Sequence, residues 1–381
     1  MAYGTVNADI IGTSVAGSNL GAGNATIMKN RIINGAMVID QRNAGASVTP
    51  TNGQYTLDRW YFFITQASKF TTQQNAGSVT PPIGFTNYLG VTSSSAYSVV
   101  SGDFFSLQQK IEGYNVADLG WGTANAKTVT LSFWVQSSLT GTFGGSFGNG
   151  AANRSYAFTY SIPVANTWTQ ISITVAGDTT GTWAKDNTAG LAVYFGLGVG
   201  STYSGTAGSW SANNYVSATG ATSVVGTNGA TFYITGVQLE VGSSATGFEY
   251  RMYSTELYNC YRYFQYLLIA QTNSQVGVIR ASGSGATASE FNMPFTFSPM
   301  RTGPTATYVS GSQTSFTAYS LAGSSSTWNI NQIVSTFDTN IGQLQYDGVR
   351  IRGGNTGYND GQPYFGVANS GWIAVTLSAE L

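Results

Sequence analysis

From Val129 to Gln136 the chain reads VTLSFWVQ, with Val129, Leu131, Phe133 and Val135 alternating with Thr130, Ser132, Trp134 and Gln136. A period of two places one set of side chains on each face of an extended strand, a spacing that no helix can use. The texture recurs in TLDRWYFFITQ, FFSLQQKIEG, YAFTYSIPV, TWTQISITVAG, GLAVYFGLGVG and TFYITGVQLEVG. About eight to ten such strands lie between Ile32 and Val241, and Gly-, Asn- and Ser-rich connections separate them. With no helix-length pattern between them, they are expected to fold as two packed antiparallel sheets, an all-β sandwich or jelly roll. Asn34-Gly35, between Ile32-Ile33 and Met37-Val38-Ile39, is expected to turn a hairpin. The Gly-rich stretches 141–155 and 198–229 read as loops at the ends of the sandwich.

Composition fits a sheet whose wet face is Ser, Thr, Asn and Gln. Charged residues form only 8% of the chain, against roughly 25% in an ordinary soluble domain. A net charge of −1 without any Lys/Arg run argues against nucleic acid as a partner, because binding a polyanion needs a basic face. Arg350-Ile351-Arg352 reads instead as two outward positions of a strand. The single cysteine, Cys260, excludes an intramolecular disulfide and reads as a buried thiol. Met1 to Asn24 contains no Lys or Arg, so it lacks the form of a secretory signal, and no apolar run approaches the ~20 residues of a membrane span. The expectation is a soluble protein made in the cytosol.

Residues 1–30 have no core-forming pattern and read as an arm that orders against a partner. Residues 31–250 form the expected first sandwich. At 251–270 the period changes: Leu257, Cys260, Tyr261 and Phe264 fall at i, i+3, i+4 and i+7, which predicts a helix over 254–266. Ser254 would cap it, with Glu256 in its first turn. The helix is expected to connect two domains and to bury that face against a domain or another subunit. Strand texture resumes over 271–381 with about eight short strands, enough for a second, smaller C-terminal β-sandwich whose last strand holds the chain end.

Three blocks, NRIINGAMVIDQRNAG with TLDRWYF, KTVTLSFWVQSS, and GVQLEVGSSATGFEYRMYSTELYNCYRYF, together resemble a module of tailed-phage structural proteins. In that family a jelly roll like the carbohydrate-binding modules of glycoside hydrolases is followed by a helix ending in Cys-x-Arg-Tyr, here Cys260 to Tyr263. MPFTFSPMRTGPTAT (293–307) and the terminal SAEL resemble the distal part of such fibres, so the resemblance covers most of 30–310. It implies a virion fibre, on tail or head, usually a homotrimer, whose N-terminal arm docks on other virion proteins and whose distal parts contact the host surface. The other class left open is a purely structural adaptor or head decoration.

Catalysis is not expected. Without histidine, Ser-His-Asp and Cys-His chemistry are excluded, and the acids Asp58, Glu112, Asp118, Asp178, Asp186 and Glu240 are scattered with no marked pair. Asp58 and Glu240 sit among apolar neighbours and are read as salt-bridge partners, with Arg59 or Arg42 available to Asp58, or as ligands of a structural calcium. No cofactor or catalytic metal is expected. A host glycan would need exposed aromatic faces. Trp121, Trp183 and Trp210 in Gly/Ser-rich contexts, and Tyr358 and Tyr364 around Asn359 and Asp360, are the residues expected to offer them. Light scattering tests the homotrimer: a three-fold assembly at micromolar concentration is the expected result, and a monomer contradicts it.

Overall fold

The computed structural model describes residues 28–271, 275–282, 290–293, 297–309, 315–320, 325–329, 332–335, 349–352, 363–368 and 372–381. The chain separates into two compact units, residues 1–256 with Leu381, and residues 257–380.

The first unit is a jelly-roll sandwich. One sheet orders its strands as β1 (Tyr55–Leu57), β2 (Trp60–Ile64), β5 (Phe104–Glu112), β10 (Ala189–Val199), β7 (Gly141–Asn149), β8 (Ser155–Ile162) and β12 (Trp210–Ser211). The facing sheet runs β3 (Phe70–Gln74), β4 (Leu89–Ser93), β14 (Thr231–Val241), β6 (Val129–Ser137) and β9 (Thr169–Val175). Neighbours far apart in sequence, such as β2 beside β5 and β4 beside β14, mean that the chain crosses repeatedly between the sheets. The core is the meeting of two alternating faces. Val129, Leu131, Phe133 and Val135 of β6 are buried with Leu191, Val193, Phe195 and Leu197 of β10 in one cluster. Phe133 packs edge-on against Phe195 at 5.1 Å between ring centres.

Three expectations are corrected here. The stretch 141–149 is a strand inside the seven-stranded sheet, not a loop. Its glycines leave room on both faces. A Cβ on Gly145 would lie 2.6 Å from the Phe158 ring, and one on Gly144 would lie 2.4 Å from Ser217 Oγ. Ser217 belongs to a small covering piece, β11 (Ser204–Gly205) paired in parallel with β13 (Ser217–Ala218), which packs on the sheet's outer face. Asn34-Gly35 makes a turn, with Met37 N–H donating to Asn34 O, yet no hairpin ladder follows. Asn34's amide occupies both the N–H and C=O of Ile39, while Arg31 N–H donates to Leu239 O and Gly35 O accepts from Val237 N–H. The segment is therefore held along β14, and a Cβ at Gly35 would sit 2.1 Å from Val237 O.

The helix is the third correction. It spans Tyr253–Tyr261, labelled α1, and Phe264 already belongs to β15 (Phe264–Gln271). Pairing decides this: β15 runs antiparallel to the terminal strand β24 (Trp372–Ser378) from Phe264↔Ser378 to Gln271↔Trp372, and sheet hydrogen bonds outweigh the helical spacing of an aromatic run. Cys260 and Phe264 are buried, while Leu257 and Tyr261 are half-buried.

Among the described residues the second unit holds two sheets. One is β15, β24 and β18 (Thr305–Tyr308). The other orders β20 (Ser325–Asn329), β19 (Ser315–Ser320), β23 (Pro363–Ala368), β16 (Gln275–Ser282), β17 (Glu290–Met293), β22 (Val349–Arg352) and β21 (Gln332–Ser335). β24 lies in the middle of its sheet, so the chain end is fixed there. Among the described residues no helix is long and apolar enough to cross a membrane.

One core residue carries a stability cost. Tyr160 is buried against Phe133 and Phe143, and its hydroxyl has no hydrogen-bond partner among the described residues. Burial pushes its phenol far up. Tyr160→Phe is expected to stabilise the first unit by about 1 kcal/mol, because it removes an unpaired polar atom and keeps the ring. Chemical denaturation measures it; a loss of stability would mean the hydroxyl has a partner.

Candidate functional site: an aromatic cleft at the closure of the first unit

β14 ends at Val241, and the chain continues through GSSATGFEYR back past the start of the unit. Glu240 holds this exit loop: its carboxylate accepts the N–H and hydroxyl of Thr246 at 2.8 and 2.6 Å and the Gln238 amide at 2.9 Å. Gln238 Oε1 in turn accepts Glu249 N–H at 2.8 Å. Phe248, Glu249, Tyr250 and Arg251 then alternate beyond the end of the strand. Glu249 and Arg251 turn toward the N-terminal segment. Glu249 Oε2 accepts Asn30 N–H and an Nη2 hydrogen of Arg251, both at 2.9 Å. Arg251 Nη2 also donates to Asn30 O, and its Nη1 donates to Ile32 O at 3.2 Å and Glu256 Oε2 at 3.3 Å. The second carboxylate oxygen of Glu256 accepts Asn34 N–H. Glu256 thus does more than meet the helix dipole in the first turn of α1; it is buried as part of the closure.

Phe248 and Tyr250 face the other way and meet Phe85. The three rings form a triangle with centres 5.1, 5.6 and 5.0 Å apart. Two glycines make it possible. A Cβ at Gly236 would lie 2.6 Å from the Phe85 ring, and one at Gly84 would lie 2.5 Å from Tyr250 Oη. Between this triangle and the Gly35–Val38 segment lies a cavity of about 230 Å³, with Asn30, Glu249, Arg251 and Glu256 also on its wall. Tyr250 is 61% exposed, Ile83 beside Gly84 is fully exposed, and Met252 is 76% exposed. Such a cleft can stack a flat, weakly polar ligand against rings while the acid–base network fixes its wall.

The aromatics expected from the sequence to offer platforms lie elsewhere. Trp121, Trp183 and Trp210 are brought together, as a packed trio with ring centres 4.8, 5.1 and 5.5 Å apart, all edge to face. Trp121 and Trp183 are only 3% and 8% exposed, and Trp210 is half-buried, so the first two are core and offer no platform. Each indole N–H finds an acceptor inside: Lys127 O at 2.8 Å for Trp121, Thr180 O at 3.2 Å for Trp183 and Ala176 O at 2.9 Å for Trp210. Tyr358, Asn359 and Asp360 lie outside the described residues. Tyr364 is in β23, where its backbone pairs with Ile279 and Ser320. Phe85, Phe248 and Tyr250 were missed as site residues, although the signal was present: apolar residues keep alternating after Gly247, where no core remains to take them.

Of the two acids weighed as calcium ligands, Asp58 is fully buried and accepts the Gln41 N–H at 2.7 Å and the Gln41 amide at 2.6 Å. Glu240 is bound as described above. Among the described residues there is no group of three or more Cys, Asp or Glu that could hold a metal ion.

No protein-family model matches the chain. No curated protein matches it either. Solved structures resemble it at low identity. The enzymatically active domain of bacteriophage CBA120 tailspike protein 4 is 14% identical over 56% of this chain and 22% of its own, with a TM-score of 0.31. The chain therefore spans about a fifth of that tailspike's length. A putative sugar-binding protein from Bacteroides thetaiotaomicron is 12% identical over 56% of this chain and 100% of its own, with a TM-score of 0.31. A family 11 carbohydrate-binding module from Clostridium thermocellum, in complex with a mixed-linked tetrasaccharide, is 12% identical over 52% and 96%, with a TM-score of 0.26. Values of this size transfer no function, and the jelly-roll assignment stands on the strand order above.

The Trp trio rests on an ion pair. Arg154 donates two parallel hydrogen bonds to Asp178, Nε to Oδ2 at 2.8 Å and Nη2 to Oδ1 at 2.6 Å. Burial pushes the Asp178 carboxyl up, but the bonds from Arg154 and Thr180 outweigh it and hold the carboxyl below its ordinary value. A lowered folded-state pKa gives stability that is complete above the ordinary carboxylate range and is lost as pH falls through the lowered value. Asp178→Asn is therefore expected to melt well below the wild type at pH 7, and the gap should narrow below about pH 4. Thermal melts across that range measure it; a gap independent of pH would contradict the assignment.

Proposed function

We propose that the chain is a virion fibre component of a tailed phage, and that its first unit grips a host-surface glycan in the cleft framed by Phe85, Phe248 and Tyr250. The observation that carries the reading is the triangle itself. Three aromatic rings are held around an open cavity of about 230 Å³, and one of them is 61% exposed although a packed core lies a few residues away. Large apolar side chains left at the surface in a group mark binding sites more often than single exposed residues do. The sequence resemblance to phage fibre modules supplies the biological setting. In that setting residues 1–30 attach to the virion, and a homotrimer presents three clefts, which multiplies weak binding by roughly 10²–10⁴.

Binding, not hydrolysis, suits the chemistry. A glycosidase needs two carboxyl groups free to face the scissile bond, whereas Glu249 and Glu256 are both committed to Arg251 and to backbone N–H groups. The structural reading keeps one observation in its favour: Met252, Tyr253 and Tyr258 are exposed along the exit and α1, a surface that suits packing against another virion protein.

Tyr250→Ala and Phe85→Ala separate the two readings. Each is expected to weaken glycan binding and adsorption at least tenfold, or about 1.4 kcal/mol. Tyr250→Ala should leave the melting temperature nearly unchanged because that ring is largely exposed. Trp121→Ala is the contrast, expected to cost about 3–5 kcal/mol of stability. Unchanged adsorption in a folded Tyr250→Ala protein would favour the structural reading.

A further inference from the structure

We infer that the cleft selects a neutral sugar, one ring at a time, and discriminates against acidic sugars such as uronates and sialates. The inference rests on the reading of the cleft as a glycan site and concerns which glycan it takes. An acidic sugar is normally held by a guanidinium or ammonium with donors to spare. The cation on this wall has none on its fork: Nη1 serves Ile32 O and Glu256, and Nη2 serves Asn30 O and Glu249. Among the described residues, a ligand carboxylate entering here would meet two carboxylates for one guanidinium, all three lining the cavity. Lys29 does not line the cleft, and its ammonium donates to Gly247 O at 2.6 Å. Arg31, farther along, is paired with Asp118 at 2.8 Å. Like charge placed against an incoming group costs binding, and a pairing already made must be broken to recruit Arg251.

Size sets the other half of the inference. A cavity of about 230 Å³ lies below the ~300–1,000 Å³ of pockets that enclose drug-sized ligands. It suits one ring stacked on the aromatic triangle, with the rest of the glycan outside.

The test is binding of the full-length protein to immobilised matched pairs, for example a galactose tetrasaccharide and tetragalacturonic acid, within a broader array of neutral and acidic glycans. Binding confined to neutral members, at least tenfold over their acidic counterparts and changing less than about twofold between low and high salt, is the expected result. In the Glu249→Gln protein, which gives Arg251 a neutral neighbour, the preference for the neutral member should shrink several-fold. Preference of the wild type for acidic members, or binding that weakens steeply with salt, overturns the inference and leaves the glycan reading standing. Absence of binding to every glycan, with the protein folded, overturns both.

Discussion

A single guanidinium closes the first unit. A sandwich built from strands that cross between sheets leaves its two chain ends to be tied down by something other than a ladder. Here Arg251, near the end, bonds the carbonyls of Asn30 and Ile32, near the beginning, and is itself held between Glu249 and Glu256. The Asn30 side chain adds the reverse link, donating to Val237 O and accepting from Leu239 N–H. Closing a loop of more than 200 residues is expensive once, but the cost grows only slowly with length, so a few well-made bonds suffice. Removing one partner of a partly buried ion pair of this kind leaves the others uncompensated, which is costly. The cleft follows from the closure. Glu249 and Arg251 point inward to make the closure, and the alternation of an extended backbone then turns Phe248 and Tyr250 outward.

The rest of the unit is shaped by having few charges and many glycines. With ordinary charged side chains scarce, the outer face of the seven-stranded sheet can be covered as well as its inner face. Ala192 and Tyr194 on β10 are buried under Val216, beside Tyr203 and Phe63, and burial pushes the Tyr194 phenol up to about 12. Gly144 and Gly196 let the β11–β13 piece approach that face through Ser217. Along β10 and most of β7 the sheet is dry on both faces, which an antiparallel sandwich seldom has, and this lets a stretch as glycine-rich as 141–149 lie inside the sheet. Phe143 and Phe147 bury fully in the core from this strand, while Gly144 leaves its outer face open to the covering piece.

What could be read from the sequence was whatever depends on a local period. The alternation at 129–136 became β6 with the expected inward set, and the run of strands became two packed sheets. What could not be read depends on contacts distant in sequence. Phe264 has a helical spacing from Leu257, yet its partner, Ser378, lies over a hundred residues away. Asn34-Gly35 has the form of a hairpin turn, but the backbone it exposes is taken by β14. Gly-rich texture is shared by loops and by strands that are crowded on both faces, and only the neighbours separate the two.

The aromatic residues show why the site itself was hard to place. Tryptophan in a Gly/Ser-rich context was a reasonable signal for an exposed platform, since an indole carries both a large face and a polar edge. That polar edge also makes it easy to bury in a loop. Carbonyls in irregular backbone lack ladder partners, and an indole N–H satisfies one of them while the ring fills space. Trp121, Trp183 and Trp210 each do this, so the loops that carry them are cemented together by the residues that looked free. Phe85 and Phe248 have no donor to trade for a buried carbonyl, and they gather where the closure has already used the polar groups. Among these loop aromatics, then, the indoles are drawn in by backbone acceptors they satisfy, while Phe85 and Phe248, with no donor to offer, stay half-buried at the cleft.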